Sequence, residues 1–154
     1  MVCTTTSWAA GVGRSGVDLL PDLSPDTARA IGGRIAGNRR PGDLVVVESP
    51  TYTNGSATAL SYGAQLLEVP VDDEGMRVDL MQDLVAHHHR PPKAIYTIPT
   101  FHNPLGLCTS VAHRTRLLEV AARAGKPVLE DAYELELRCE GRPVPPLAAL
   151  DGKT

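Results

Sequence analysis

A chain of 154 residues is the size of one compact domain. Hydrophobic residues at 42% and charged residues at 21% exclude wholesale disorder, and a formal charge of −3 gives no general attraction to nucleic acid or membrane. Cys3, Cys108 and Cys139 form no CxxC pair and suit free thiols in a reducing cytoplasm. The longest apolar runs, such as Leu44–Val47, are too short to span a bilayer, and no secretion signal opens the chain.

Residues 1–42 are rich in Gly, Ser, Thr and Arg, with apolar residues at neither helical nor strand period. Within them, Asp26–Ala36 is compatible with a short helix, with Ser24 as N-cap, Pro25 at N1 and Gly37 as its stop. From Pro41 the pattern sharpens. Leu44–Val47 is a β-branched run expected to be a strand buried on both faces, closed by Ser49-Pro50-Thr51-Tyr52. Asn54–Tyr62 follows as a helix, Gln65–Val69 as a strand, and Val71–Gly75 as a polar turn. Val78–His88 carries Val78, Leu80, Met81, Leu84 and Val85 at helical spacing. Ala94–Ile98 predicts a strand closed by Pro99. Ser110–Ala124 predicts a helix capped by Thr109 or Ser110, with Leu117, Leu118, Val120 and Ala121 inward and Gly125 as its stop. Val128–Glu130 is a further strand, and a proline-rich tail, 142–146, follows. Strand and helix alternate with connections long enough for crossovers. That order predicts an α/β domain with a mainly parallel sheet and flanking helices.

Ligands of open α/β sheets bind where the loops leave the carboxyl ends of the strands. Tyr52 follows the first strand of this region, Asn103 the third, and Asp131 and Tyr133 the fourth. An aromatic face, an amide, a carboxylate and a phenol then share one edge, a set suited to a flat, polar, heteroaromatic ligand. Each residue also has a plainer reading. Tyr52 and Tyr133 serve equally as core aromatics, Asn103 before Pro104 as a turn initiator, Asp131 as a cap, and Gly106 as backbone geometry alone. His102 has two readings, near the site or in solvent. His87-His88-His89 points around a helix rather than to one metal.

Glu48-Ser49-Pro50-Thr51-Tyr52, Tyr96-Thr97-Ile98-Pro99 with Asn103-Pro104-Leu105-Gly106, and Leu129-Glu130-Asp131-Ala132-Tyr133 together resemble the class I/II (fold-type I) aminotransferases. Glu134–Arg138 with Gly141-Arg142-Pro143 is most similar to the MocR-like branch, whose members occur alone or behind a GntR-type DNA-binding domain. The resemblance covers about residues 41–151 and implies part of the large domain of a pyridoxal-phosphate-dependent transferase. Residues 1–40 then read as a poorly defined, diverged N-terminal segment, and 41–154 as the partial large domain.

By that resemblance Tyr52 covers the pyridoxal ring, Asn103 and Tyr133 bond its phenolic oxygen, and Asp131 pairs with the pyridine nitrogen. Some relatives place this carboxylate three residues before the tyrosine, at Glu130 here; the spacing of two fits the MocR-like pattern. The resemblance also implies amino acid and 2-oxo acid substrates, a homodimer, and nucleic acid as a partner only with a GntR-type fusion. It requires a lysine that forms the Schiff base. Lys93 and Lys126 precede strands, on the edge away from the site, and Lys153 is next to last. No catalytic residue is therefore assigned, and this chain is expected to be inactive alone. A Ser-Gly-small-Gln turn for the cofactor phosphate is expected about twenty residues before Pro41, and Asp22–Ala30 contains none. Asn54 stands near the place where some relatives carry a substrate arginine.

Overall fold

A computed structural model describes residues 17–20, 42–132, 138 and 140–151. Ten elements follow in chain order: β1 Val17–Leu20, β2 Leu44–Ser49, α1 Thr53–Ser61, β3 Gln65–Asp72, β4 Gly75–Met76, α2 Val78–His87, β5 Ala94–Thr97, α3 Val111–Ala124, β6 Val128–Asp131 and α4 Leu147–Leu150. The sheet order is β1-β6-β5-β2-β3-β4. All pairings are parallel except β3 with β4. The expected α/β domain with a mainly parallel sheet is the fold observed. Strand β1, paired with β6 from Val17↔Val128 to Leu20↔Asp131, was not announced by the apolar pattern of residues 1–42. The helix expected over Asp26–Ala36 lies outside the described residues.

Local chemistry explains the best-formed helix. The Ser110 hydroxyl accepts from His113 N at 3.1 Å, satisfying one orphan donor of the first turn of α3. Gly125 ends it in the left-handed region at φ 64°. The side chains of successive strand residues face opposite ways, and two cores result. Val46, Ile95 and Val128 pack with Met81, Leu117, Val120 and Leu147 on the face of α2, α3 and α4. Val45, Val47, Tyr96 and Leu129 pack with Ala59 of α1 and half-buried Tyr52 on the other.

One turn of topology places the site. From β2 the chain runs outward to β3 and β4, then returns to β5 on the other side of β2. The loops leaving β2 and β5 therefore part in opposite directions, and it is beside such a switch point, at the strands' carboxyl ends, that open α/β sheets bind ligands.

Candidate functional site

Three adjacent parallel strands, β6, β5 and β2, deliver their carboxyl ends to one edge. At the end of β2, Tyr52 is half-buried, begins α1 in an extended conformation, and accepts a hydrogen bond on its phenol oxygen from Asn54 Nδ2 at 2.9 Å. At the end of β6, Asp131 is buried, and its Oδ2 accepts from the Tyr96 phenol at 2.7 Å. Burial first, and the Asp131 charge second, hold the Tyr96 phenol far above the usual tyrosine range, so it stays a donor.

Parity decides which acidic residue of β6 faces Tyr52. Tyr96 stands opposite Leu129 in the register of β5 and β6, so Asp131, two residues on, shares its face. That is the α1 face, where Tyr52 packs. Glu130 points to the other face, where its Oε2 accepts from Leu147 N at 2.8 Å and its Oε1 lies 3.9 Å from Arg114. Burial pushes the Glu130 carboxyl up to about 7 against the pull of Arg114.

The loop leaving β5 is tied down by two buried side chains. Glu48 accepts from the Thr97 hydroxyl at 2.7 Å and from Ile98 N at 2.9 Å. Arg114, wholly buried, donates to the carbonyls of Pro99, Thr109 and Pro145 and to the hydroxyls of Thr100 and Thr109, at 2.7–3.3 Å. Bonds from a charged group are worth roughly 1.5–3 kcal/mol each. They offset holding Phe101 at φ 49°, a conformation costing of order 1–3 kcal/mol for a non-glycine residue. His102 is not in solvent. It is buried, with Nε2 3.3 Å from Glu48 Oε2 and Nδ1 accepting from Leu105 N at 3.4 Å, because the loop folds back through His102 N→Leu107 O.

Asn103 rides this anchored loop, exposed, before a cis bond to Pro104. Gly106 follows at φ 70°, with nothing near the position of a Cβ, so its role is the backbone turn. Tyr52 and Asp131 thus share a face around Tyr96, and Asn103 belongs to the loop that leaves the carboxyl end of β5, between them in the sheet order. Tyr133 lies outside the described residues, as does the segment Asp22–Ala30. Lys93 precedes β5 on the opposite edge, its Nζ 2.9 Å from Asp43 Oδ2, and Lys126 precedes β6. Among the described residues, no cluster of His, Cys, Asp or Glu could hold a metal ion, and no helix is long and apolar enough to cross a membrane.

Sequence reasoning missed Tyr96 and Arg114. The signal for Arg114 was present, since it lies three residues before Leu117 on the inward stripe of α3.

Comparison with known proteins gives the family and the fold. The family model described as aspartate amino-transferase matches residues 31–149. Aromatic-amino-acid aminotransferase 1 of Thermococcus litoralis is 38% identical over 140 residues, covering 89% of this chain and 33% of the relative. The probable rhizopine catabolism regulatory protein MocR of Rhizobium meliloti is 34% identical over 111 residues, covering 71% of this chain and 21% of the relative. The structure of kynurenine aminotransferase from Pyrococcus horikoshii, solved in complex with PMP, superposes with a TM-score of 0.73 at 34% identity, over 82% of this chain and 32% of that one. The chain therefore spans a third or less of the length of these relatives.

Proposed function

The chain belongs to the aspartate aminotransferase family, and on that premise we propose that its residues 41–154 are the part of a pyridoxal-phosphate-dependent aminotransferase that grips the cofactor's ring. When bound, that cofactor supplies an electron sink for a bond broken at the substrate's α-carbon. Tyr52 covers one ring face. Asn103, with Tyr133, donates to the ring's phenolic oxygen. Asp131 would hold a proton at the ring nitrogen, because a carboxylate beside a positive nitrogen gains a few kcal/mol, roughly 4 at about 4 Å and an effective dielectric near 20.

The observation that carries the reading is the shared face: Asp131, buried at the end of β6, is on the Tyr52 side of the sheet, and Glu130 is not. The residues present fit the ring half of the cofactor, with a carboxylate, an aromatic face and an amide on one edge. The whole protein would transfer an amino group between an amino acid and a 2-oxo acid, as a cytoplasmic homodimer. The 154-residue polypeptide alone would bind the cofactor weakly, since Asp22–Ala30 carries no Ser-Gly-small-Gln turn for its phosphate, and would transfer nothing, since Lys93 and Lys126 precede strands on the edge away from Asp131 and Lys153 is next to last. An absorbance titration giving a stable cofactor band near micromolar pyridoxal phosphate would refute that part. For the site itself, Asp131→Asn in the full gene product should weaken cofactor retention at least about tenfold, which corresponds to 1.4 kcal/mol. Unchanged retention on dialysis would remove Asp131 from the site.

Similarity to MocR favours a second reading, an effector-sensing domain of a GntR-type regulator that meets nucleic acid through a fused domain. A winged-helix reading frame in the same gene would decide for it.

A further inference from the structure

Tyr96 is the longest side chain on the α1 face of β5, and its phenol ends in a confined place. On one side its oxygen donates to Asp131 Oδ2 at 2.7 Å. On the other it meets α1 at Gly55, where an added Cβ would lie 2.5 Å from the phenol oxygen and 2.6 Å from the carbon bearing it. Ring and hydroxyl are buried with Leu129, Ile98 and half-buried Tyr52. The phenol thus has a wall behind it and one charged acceptor in front. Asp131 ends its strand with its carboxylate buried, so the direction of that carboxylate is set by the groups that touch it, the Tyr96 phenol among them. A bond from a buried donor whose own position is set by packing supplies such a restraint.

We propose that Tyr96 is a positioning residue, whose phenol, backed by Gly55, fixes the orientation of the Asp131 carboxylate toward the cofactor's ring nitrogen. The assignment rests on the ring-gripping role of Asp131 argued above. Its consequence is specific. Losing the hydroxyl leaves the Asp131 side chain in place but less well directed, so the ring nitrogen holds its proton less firmly while the ring stays bound.

The test uses the full gene product loaded with pyridoxal 5'-phosphate labelled with nitrogen-15 in the ring, following the ring-nitrogen shift against pH in wild type, Y96F and D131N. Y96F is expected to lower the midpoint by about one unit, a tenfold loosening of the proton, and D131N to lower it further. A second measurement needs no cofactor: a double-mutant cycle of Y96F and D131N by denaturant unfolding, expected to show coupling of at least about fivefold in the equilibrium constant. Both results together sustain the assignment, and the absence of either overturns it. If Y96F matches wild type while D131N falls, Tyr96 is only core and the cofactor reading stands. If D131N also matches wild type, the cofactor reading itself fails.

Discussion

Gly55 is a residue whose side chain is excluded by a neighbour rather than by its own backbone. Alanine inside a helix is intrinsically favoured over glycine by about 1 kcal/mol, yet here its methyl would collide with Tyr96. Overpacking of this kind costs roughly 1–3 kcal/mol. Gly55→Ala should therefore destabilise the protein, read as a lowered denaturant midpoint, against the trend of helix propensity. Glu130 offers a prediction of pH dependence. Its carboxyl rises from 4.5 to about 7 on folding, mainly through burial. Between those values the unfolded chain has released the proton and the folded chain still holds it. Stability therefore falls as pH rises through the window and levels off above it. The fall amounts to roughly 3 kcal/mol at most. Unfolding curves collected across the window should show that slope in the wild type and lose it in Glu130→Gln.

The loop from Pro99 to Thr109 behaves as one element because Arg114 and Glu48 hold its base. Removing a buried cation leaves several carbonyls and Glu130 without their partner, and such losses cost roughly 3–5 kcal/mol. Arg114→Met should show that loss in denaturant unfolding and speed amide exchange at His102 and Thr109, whose N–H groups donate to Leu107 O and Pro99 O. An unchanged exchange rate there would mean that the loop holds its shape without the arginine. A milder change is expected at the start of α3, where Ser110→Ala removes the bond to His113 N at a cost of about 1 kcal/mol. The helix should lose stability without losing its position, since Leu117, Val120 and Ala121 still pack beneath it.

At the scale of the molecule, the sheet sorts its side chains into two chemistries. One face carries the Glu48, Arg114 and Glu130 network that anchors loops, and the other carries Tyr96, Asp131 and Tyr52. A ligand gripped on the second face stabilises the fold by mass action. A hundredfold excess of pyridoxal phosphate over its Kd should add about 2.7 kcal/mol to the unfolding free energy of the full gene product. Thermal melting with and without the cofactor checks this, and a tenfold weaker Asp131→Asn variant should lose about half of the increment. Helices α1, α2 and α3 and the strands from β2 to β6, apart from the short β4, were legible in the sequence. Their signals are short-range: β-branched runs, helical spacing, a serine cap and a glycine stop within a few residues of one another. Strand β1 was not legible, because Val17–Leu20 carries no alternation of its own and is made a strand by pairing with β6. The polar turn at 71–75 was expected, but β3 runs on to Asp72 and β4 pairs back on it at Met76.

What residues 41–151 determined unaided was the alternation of elements and the strand ends at which Tyr52, Asn103 and Asp131 stand, since both depend on neighbours close in the chain. That Tyr96 reaches Asp131 across 35 positions, that Glu130 turns to Leu147 N and Arg114, and that His102 turns inward were decided only by tertiary structure. Those outcomes follow from strand register and crossover direction, and a shift of one residue in register would exchange the two faces.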